Sequence, residues 1–210
     1  MDGVYVEPPL SARAAGASRL GERHASDRGA AMIVHETLLA GAAIVEGEPL
    51  VDERGSWTRT FDAEIFAAHG LDARVAQCST SFNPRAGTLR GMHYQLAPHG
   101  EAKLIRCTRG RIFDVALDLR AGSPTHKRWV SVELGADGTR AFFIPAGCAH
   151  GFQTLEDNSE IHYQMSSPFA PAAYSGVRWN DRAFAIEWPD PPGVRRIMSE
   201  RDRNFEDYHL

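Results

Sequence analysis

The sequence predicts an all-β fold, a sandwich or barrel, on two observations. From Ile33 onward, short runs rich in Val, Ile, Phe and Trp are broken by turn residues, as in KLIRCTRGRIFDVALDLRAGSPT, RWVSVELGADGT and RAFFIPAG, which is the rhythm of antiparallel strands. The glycines at 110, 122, 135, 138, 147 and 151 supply turns that admit positive φ, and none lies inside a long helical period. Strands joined by such turns close their hydrophobic faces on one another.

Residues 1–31 mix Ala, Arg, Ser and Gly without period and are expected to form a mostly disordered extension. Met32 opens an apolar-rich stretch, MIVHETLLAGAAIVEGEPLV, that reads as strand. One segment departs from the β rhythm: Asp62 can cap AEIFAAH and Gly70 can stop it, giving about two turns of helix. Near the C-terminus, Trp188-Pro189-Asp190-Pro191-Pro192 before a charged tail predicts packed turns and a short helix. With 210 residues in all, residues 32–210 are expected to make a single domain, since the chain is long enough for one core and short for two.

The balance of 23 basic against 27 acidic residues leaves a net charge of -4, so nothing global draws the chain to nucleic acid or to an anionic membrane. Any anion it binds must be held locally. No apolar run approaches the roughly 20 residues that span a bilayer, and the first 31 residues hold no signal-like hydrophobic stretch. Cys78, Cys107 and Cys148 are odd in number, widely spaced and form no CxxC pair, which argues against a disulfide framework or a structural zinc site. A soluble protein of the reducing cytoplasm is expected. Neither GxGxxG nor GxxxxGKS occurs, so nucleotide recognition would fall to side chains.

Two segments concentrate polar groups in strand-like context: Leu89-Arg90-Gly91-Met92-His93-Tyr94-Gln95, and Ile144 to Phe152, which reads IPAGCAHGF. Each sets a histidine beside glycine. The second contains PxGxxH and resembles the second half-motif of the cupin superfamily, whose histidine points into a jelly-roll barrel. Metal-binding cupins carry two histidines one residue apart in the first half-motif, so that alternate strand positions put both imidazoles on one face. Here that slot reads His93-Tyr94-Gln95, and glutamine is a poor ligand for zinc or iron. His93 is therefore read as an acid–base group, with no metal and no cofactor.

Taken in order, DERGSW (52–57), TLRGMHYQ (88–95), AKLIRC (102–107), FDVALDLRAGSPT (113–125), IPAGCAHGF (144–152) and WND (179–181) go beyond the superfamily pattern. The chain resembles the dTDP-4-dehydrorhamnose 3,5-epimerase family from about Met32 to about Asp202. The resemblance implies a cupin-type jelly roll, a homodimer that exchanges N-terminal strands, and epimerisation beside the ketone of a nucleotide-linked 4-keto-6-deoxyhexose. Carbons 3 and 5 of such a sugar flank the carbonyl, so loss of either proton gives an enolate. The reaction needs a base on one face, an acid on the other and a positive group at the developing oxyanion. By resemblance His93 is the base, Tyr163 the opposite acid, Lys103 the group at the carbonyl, and Asp202 the carboxylate that orients His93, with Asp181 as its competitor. Arg54 and Arg90 match diphosphate-binding arginines, His150 a further substrate contact, and Phe169 the aromatic that stacks on the base.

The departures fall on nucleotide recognition. Arg59 stands where the family has a glutamate, Gln77 and Ser79 where it has a QxN pair, Phe169 where it usually has tyrosine, and Tyr174 where an acidic residue follows the stacking aromatic. Two other readings stay open: a metal-dependent cupin enzyme using His93, His150, Glu160 and His162, and a non-catalytic cupin that binds sugar nucleotides.

Overall fold

The computed structural model describes residues 4–5, 31–136 and 138–208. Twelve strands form two six-stranded sheets. Sheet A runs β1 (Val4–Tyr5), β10 (Trp129–Gly135), β9 (Arg111–Asp118), β12 (Cys148–Thr154), β7 (Leu89–Gln95) and β14 (Tyr174–Gly176). Sheet B runs β2 (Met32–Glu36), β3 (Ala43–Gly47), β11 (Arg140–Ile144), β8 (Lys103–Arg109), β13 (Ser159–Met165) and β6 (Gln77–Asn83). From β6 to β14 the chain crosses from one sheet to the other at each step except the β9–β10 hairpin, which gives the jelly-roll sandwich that the motifs imply. Among the described residues the short strands β4 (Leu50–Asp52) and β5 (Gly55–Trp57) pair only with each other. Of the expected disordered extension, Val4–Tyr5 form a strand parallel to β10, and the remainder up to residue 30 lies outside the described residues.

The sequence reads as continuous apolar runs rather than strict alternation because the central strands are covered on both faces. On β9, Ile112 and Ala116 point between the sheets, where they meet Ile105, Phe142, Phe152 and Ile161, while Phe113, Val115 and Leu117 point outward. That outer face is closed by the C-terminal turns through Val177, Phe184, Ile186 and Trp188. Sheet B is closed by α1 (Ala63–Ala68), whose Phe66 meets Phe143 edge-on with ring centroids 5.9 Å apart. Each such fully buried aromatic or aliphatic side chain contributes about 1.5–3 kcal/mol. The helix begins and ends where the sequence indicates: Asp62 accepts from the Glu64 and Ile65 amides, and Gly70 follows the cap at φ 69°.

A buried carboxylate pins the loop after β9. Asp118 accepts from Arg120 Nε at 2.9 Å, Ser123 Oγ at 2.5 Å and Thr125 Oγ1 at 2.6 Å, and Arg120 Nη2 in turn donates to Ala40 O at 2.6 Å. Although burial works the other way, these donors hold Asp118 well below the usual carboxylate range. The DLRAGSPT motif is thereby accounted for as a cross-link between the β2–β3 and β9–β10 loops.

Candidate active site

Between the sheets, bordering the apolar filling through Phe152 and Tyr163, lies a cleft of about 330 Å³. Sheet A supplies Arg90, His93 and His150, while sheet B supplies Lys103, Tyr163, Gln77 and Ser79; Phe169 and Tyr174 complete the lining. Nine residues singled out in the sequence therefore meet in one space.

The two glycine-flanked histidines are brought face to face by a bulge. On β12 and β7 the register is His150 opposite His93, then Phe152 opposite Arg90, so Gly151 faces two residues, Gly91 and Met92. The backbones touch there: a Cβ on Gly91, whose φ is 139°, would lie 2.5 Å from Gly151 Cα, and one on Gly151 would lie 2.6 Å from Met92 Sδ. Only glycine at both positions permits this approach.

Behind His93 stands Asp202, on α2 (Glu200–Arg203), the short helix expected near the C-terminus and capped by Ser199. His93 Nε2 lies 2.9 Å from Asp202 Oδ1, and Asp202 Oδ2 accepts the Gly91 amide at 3.2 Å. Burial pulls the His93 imidazole below its ordinary value, outweighing the opposing pull of Asp202. Burial would raise Asp202, but hydrogen bonds from His93, the Gly91 amide and Ser199 win and leave it lowered. The pair at neutral pH is thus a neutral imidazole and an ionised carboxylate. An ionised carboxylate can only accept, so Nε2 carries the proton and Nδ1 the basic lone pair. Asp181, the competing candidate, instead accepts from the Ala183 and Tyr208 amides among the C-terminal turns.

On the opposite sheet, burial pushes the Tyr163 phenol far above its ordinary range, with the charge of Asp114 adding to the effect. It is a protonated donor throughout the neutral range. The Tyr163 ring meets His150 edge-on at 6.1 Å. Lys103 Nζ lies 2.9 Å from Glu101 Oε1 and 3.5 Å from the His93 carbonyl. Arg90 Nε donates to Asn83 Oδ1 at 2.9 Å. Phe169 is held by its amide, which donates to Gln77 Oε1, and its ring meets Tyr174 at 5.6 Å.

Arg54 and Arg59 are placed outside the cleft. Arg54, in the turn between β4 and β5, pairs with Asp52 at 2.5 Å, and Arg59 pairs with Asp62 at 2.9 Å. Nor do the four residues of the metal reading assemble. On β13, Tyr163 and Met165 line the cleft, so the alternate residues Glu160 and His162 face the other side of sheet B. Among the described residues no three His, Cys, Asp or Glu side chains converge as a metal set.

Two supporting groups went unnoticed in the sequence, and a third, Gln95, was noticed only as a non-ligand. Asp114 Oδ1 lies 2.6 Å from His150 Nε2 while its Oδ2 is buried without a hydrogen-bond partner, and burial raises its pKa. Its signal was an acid at an inward position of an apolar strand, between Ile112 and Ala116. Glu101 is the other, and no local signal separates it from surface polar residues; Gln95 stands in a motif, yet its grip on Glu101 and on the loop carrying Phe169 is not read from it.

Comparison with known proteins decides the family. A family model described as dTDP-4-dehydrorhamnose 3,5-epimerase matches residues 36–209. The chain belongs to the dTDP-4-dehydrorhamnose 3,5-epimerase family. It is 43% identical over 172 residues to a dTDP-4-dehydrorhamnose 3,5-epimerase of Methanothermobacter thermautotrophicus, covering 81% of this chain and 91% of that one. The crystal structure of the Bacillus anthracis dTDP-4-dehydrorhamnose 3,5-epimerase with TDP and PPi bound superposes with a TM-score of 0.79 at 36% identity, covering 85% of this chain and all of that one. ChmJ of Streptomyces bikiniensis, a 3'-monoepimerase solved with dTDP-quinovose, gives a TM-score of 0.75 at 35% identity over 82% of this chain and 86% of its own. The epimerase family members thus share the jelly roll described above.

Proposed function

We propose that residues 32–210 form one epimerase domain that inverts C3, C5 or both of a dTDP-linked 4-keto-6-deoxyhexose through an enolate. The observation that carries this reading is the placement of a neutral imidazole on one sheet and a protonated phenol on the other, across a single cleft with an ammonium in its wall. His93 Nδ1 takes the proton from the carbon beside the ketone, and the imidazolium so formed is stabilised by Asp202. Negative charge moves onto the ketone oxygen, where Lys103 meets it. Tyr163 returns a proton to the opposite face, which inverts the centre. The ketone itself holds the electron pair, so the scheme calls on no redox group. Both titrating groups already have the protonation state that the first step needs.

Arg90, His150, Gln77, Ser79 and Phe169 hold the substrate: the guanidinium of Arg90 suits a diphosphate and Phe169 offers a stacking face. The bound TDP of the Bacillus anthracis relative supports the nucleotide. Arg54 and Arg59 act in a homodimer, in which the β4–β5 hairpin reaches the neighbouring subunit's cleft. Supporting this, the hairpin projects Val51 at 76% exposure and Trp57 at 54%, and no other described strand pairs with it. A nucleotide-activated substrate and the absence, among the described residues, of a helix long and apolar enough to cross a membrane fit work in the cytoplasm.

The test is incubation with 4-keto-6-deoxy sugar nucleotides in heavy water, followed by proton NMR of the hexose. Solvent deuterium is expected at C3, C5 or both with inverted product, and the pattern separates a 3'-monoepimerase of the ChmJ kind from a double epimerase. Ligand-induced stabilisation without exchange at either carbon would replace this reading by that of a sugar-nucleotide-binding cupin.

A further inference from the structure

One carboxylate in the cleft has no part in the scheme above. Glu101 lies in the turn entering β8, two residues before Lys103, and its Oε1 is 2.9 Å from Lys103 Nζ, with the side chains 11% and 10% exposed. Its other oxygen, Oε2, accepts from Gln95 Nε2 at 3.1 Å. Gln95 is buried and grips the loop that carries Phe169: Nε2 donates to Pro168 O at 3.2 Å, and Oε1 accepts the Ala170 amide at 2.6 Å.

A carboxylate beside the ammonium subtracts from the field that an enolate would feel, so its presence needs a compensating reason. An ammonium this withdrawn from water is costly unless paired, and a lysine stem loses much rotamer freedom when its tip is fixed. Among the described residues the other hydrogen-bond partner of Nζ is the His93 carbonyl, at the outer limit of a hydrogen bond. Glu101 is thus the group that determines where the ammonium stands.

We infer that Glu101 is a positioning residue that acts through Lys103, holding the ammonium at the cleft wall and, by way of Gln95, tying it to the loop carrying Phe169. The inference deepens the epimerase reading and, for its effect on turnover, rests on it.

Glu101→Gln keeps the size of the side chain and a partner for Gln95 while removing the charge. Modification of Lys103 by an amine-reactive reagent, followed by mass spectrometry, is expected to run several-fold faster in this variant than in the parent. Turnover is expected to fall about 10–100-fold, the usual cost of losing a group that orients a functional one, with KM and the affinity for dTDP within about twofold. In a Lys103→Ala background the same substitution is expected to change kcat by less than about twofold, because the two residues act as one unit. Equal modification rates in parent and variant would overturn the pairing, whether or not the cleft is an epimerase site. An undiminished loss of turnover in the Lys103→Ala background would overturn the route through Lys103. Labelling reads the ion pair and turnover reads the reaction, so the two failures are told apart.

Discussion

In the proposed scheme His93 serves as a base only while neutral, and burial moves its protonation to the acid side of the ordinary histidine value. Activity should therefore be flat through neutral pH and fall only below about 6.5, the unperturbed imidazole value; a limb in kcat/KM above that value would contradict the environment described. Asp202 pulls the other way, raising the imidazole pKa. Asp202→Asn should accordingly push the acid limb to still lower pH while cutting the plateau by about 10²–10⁴-fold through loss of the tautomer. The same sign governs stability. Between the lowered folded value and about 6.5 the unfolded chain binds the extra proton, so this group's contribution is complete above that window and declines as pH falls through it. His93→Ala should lose about 10²–10⁴-fold in turnover, with the fold retained by circular dichroism. Tyr163→Phe should still wash deuterium into the sugar yet give little inverted product; full epimerisation by that variant would remove Tyr163 from its role. These residues were legible because each stands in a motif with a distinctive neighbour. The role of Asp114 was not, since its partner His150 is 36 positions away and only folding brings the two within reach; nor was that of Glu101, whose charge two residues from Lys103 looks like an ordinary surface pair until burial withdraws both.

At the level of elements, the Gly91–Gly151 contact sets the register that puts His93 opposite His150. Gly151→Ala places a methyl against Met92 Sδ and the Arg90 carbonyl, and the cost should be roughly 1–3 kcal/mol of overpacking. The measurable signature is a loss of turnover larger than the urea midpoint would suggest, because the repair must slide β7 against β12. The sequence marked both glycines as flanking the histidines, yet a bulge cannot be read from one strand, since it is a mismatch of count between two. Helix α1 was legible to within one residue because Asp62 and Gly70 act locally. That it roofs sheet B through Phe66 was not, because this depends on where β11 lies. The motif DLRAGSPT carried the family resemblance without a role of its own, and the structure uses it as a clamp around Asp118.

For the whole molecule, the closed β architecture followed from turn spacing and the jelly roll from the family resemblance, whereas the placement of Arg54 and Arg59 did not follow from either. In a strand-exchanged dimer, mixing His93→Ala and Arg54→Ala subunits and allowing reassortment should restore activity to about a quarter of the parent, one intact cleft in half of the particles. No recovery, or a monomer by sedimentation equilibrium, would oppose the exchange. The proposed acid and base ride on different sheets, and what separates those sheets is the hydrocarbon between them, Ile112, Phe142 and Ile161 among it. The gap that a pyranose ring must bridge is therefore a thickness, set by volume rather than by any hydrogen bond. Shaving that filling far from the sugar would draw donor and acceptor together, so stereochemical outcome is tied to bulk that the substrate never touches.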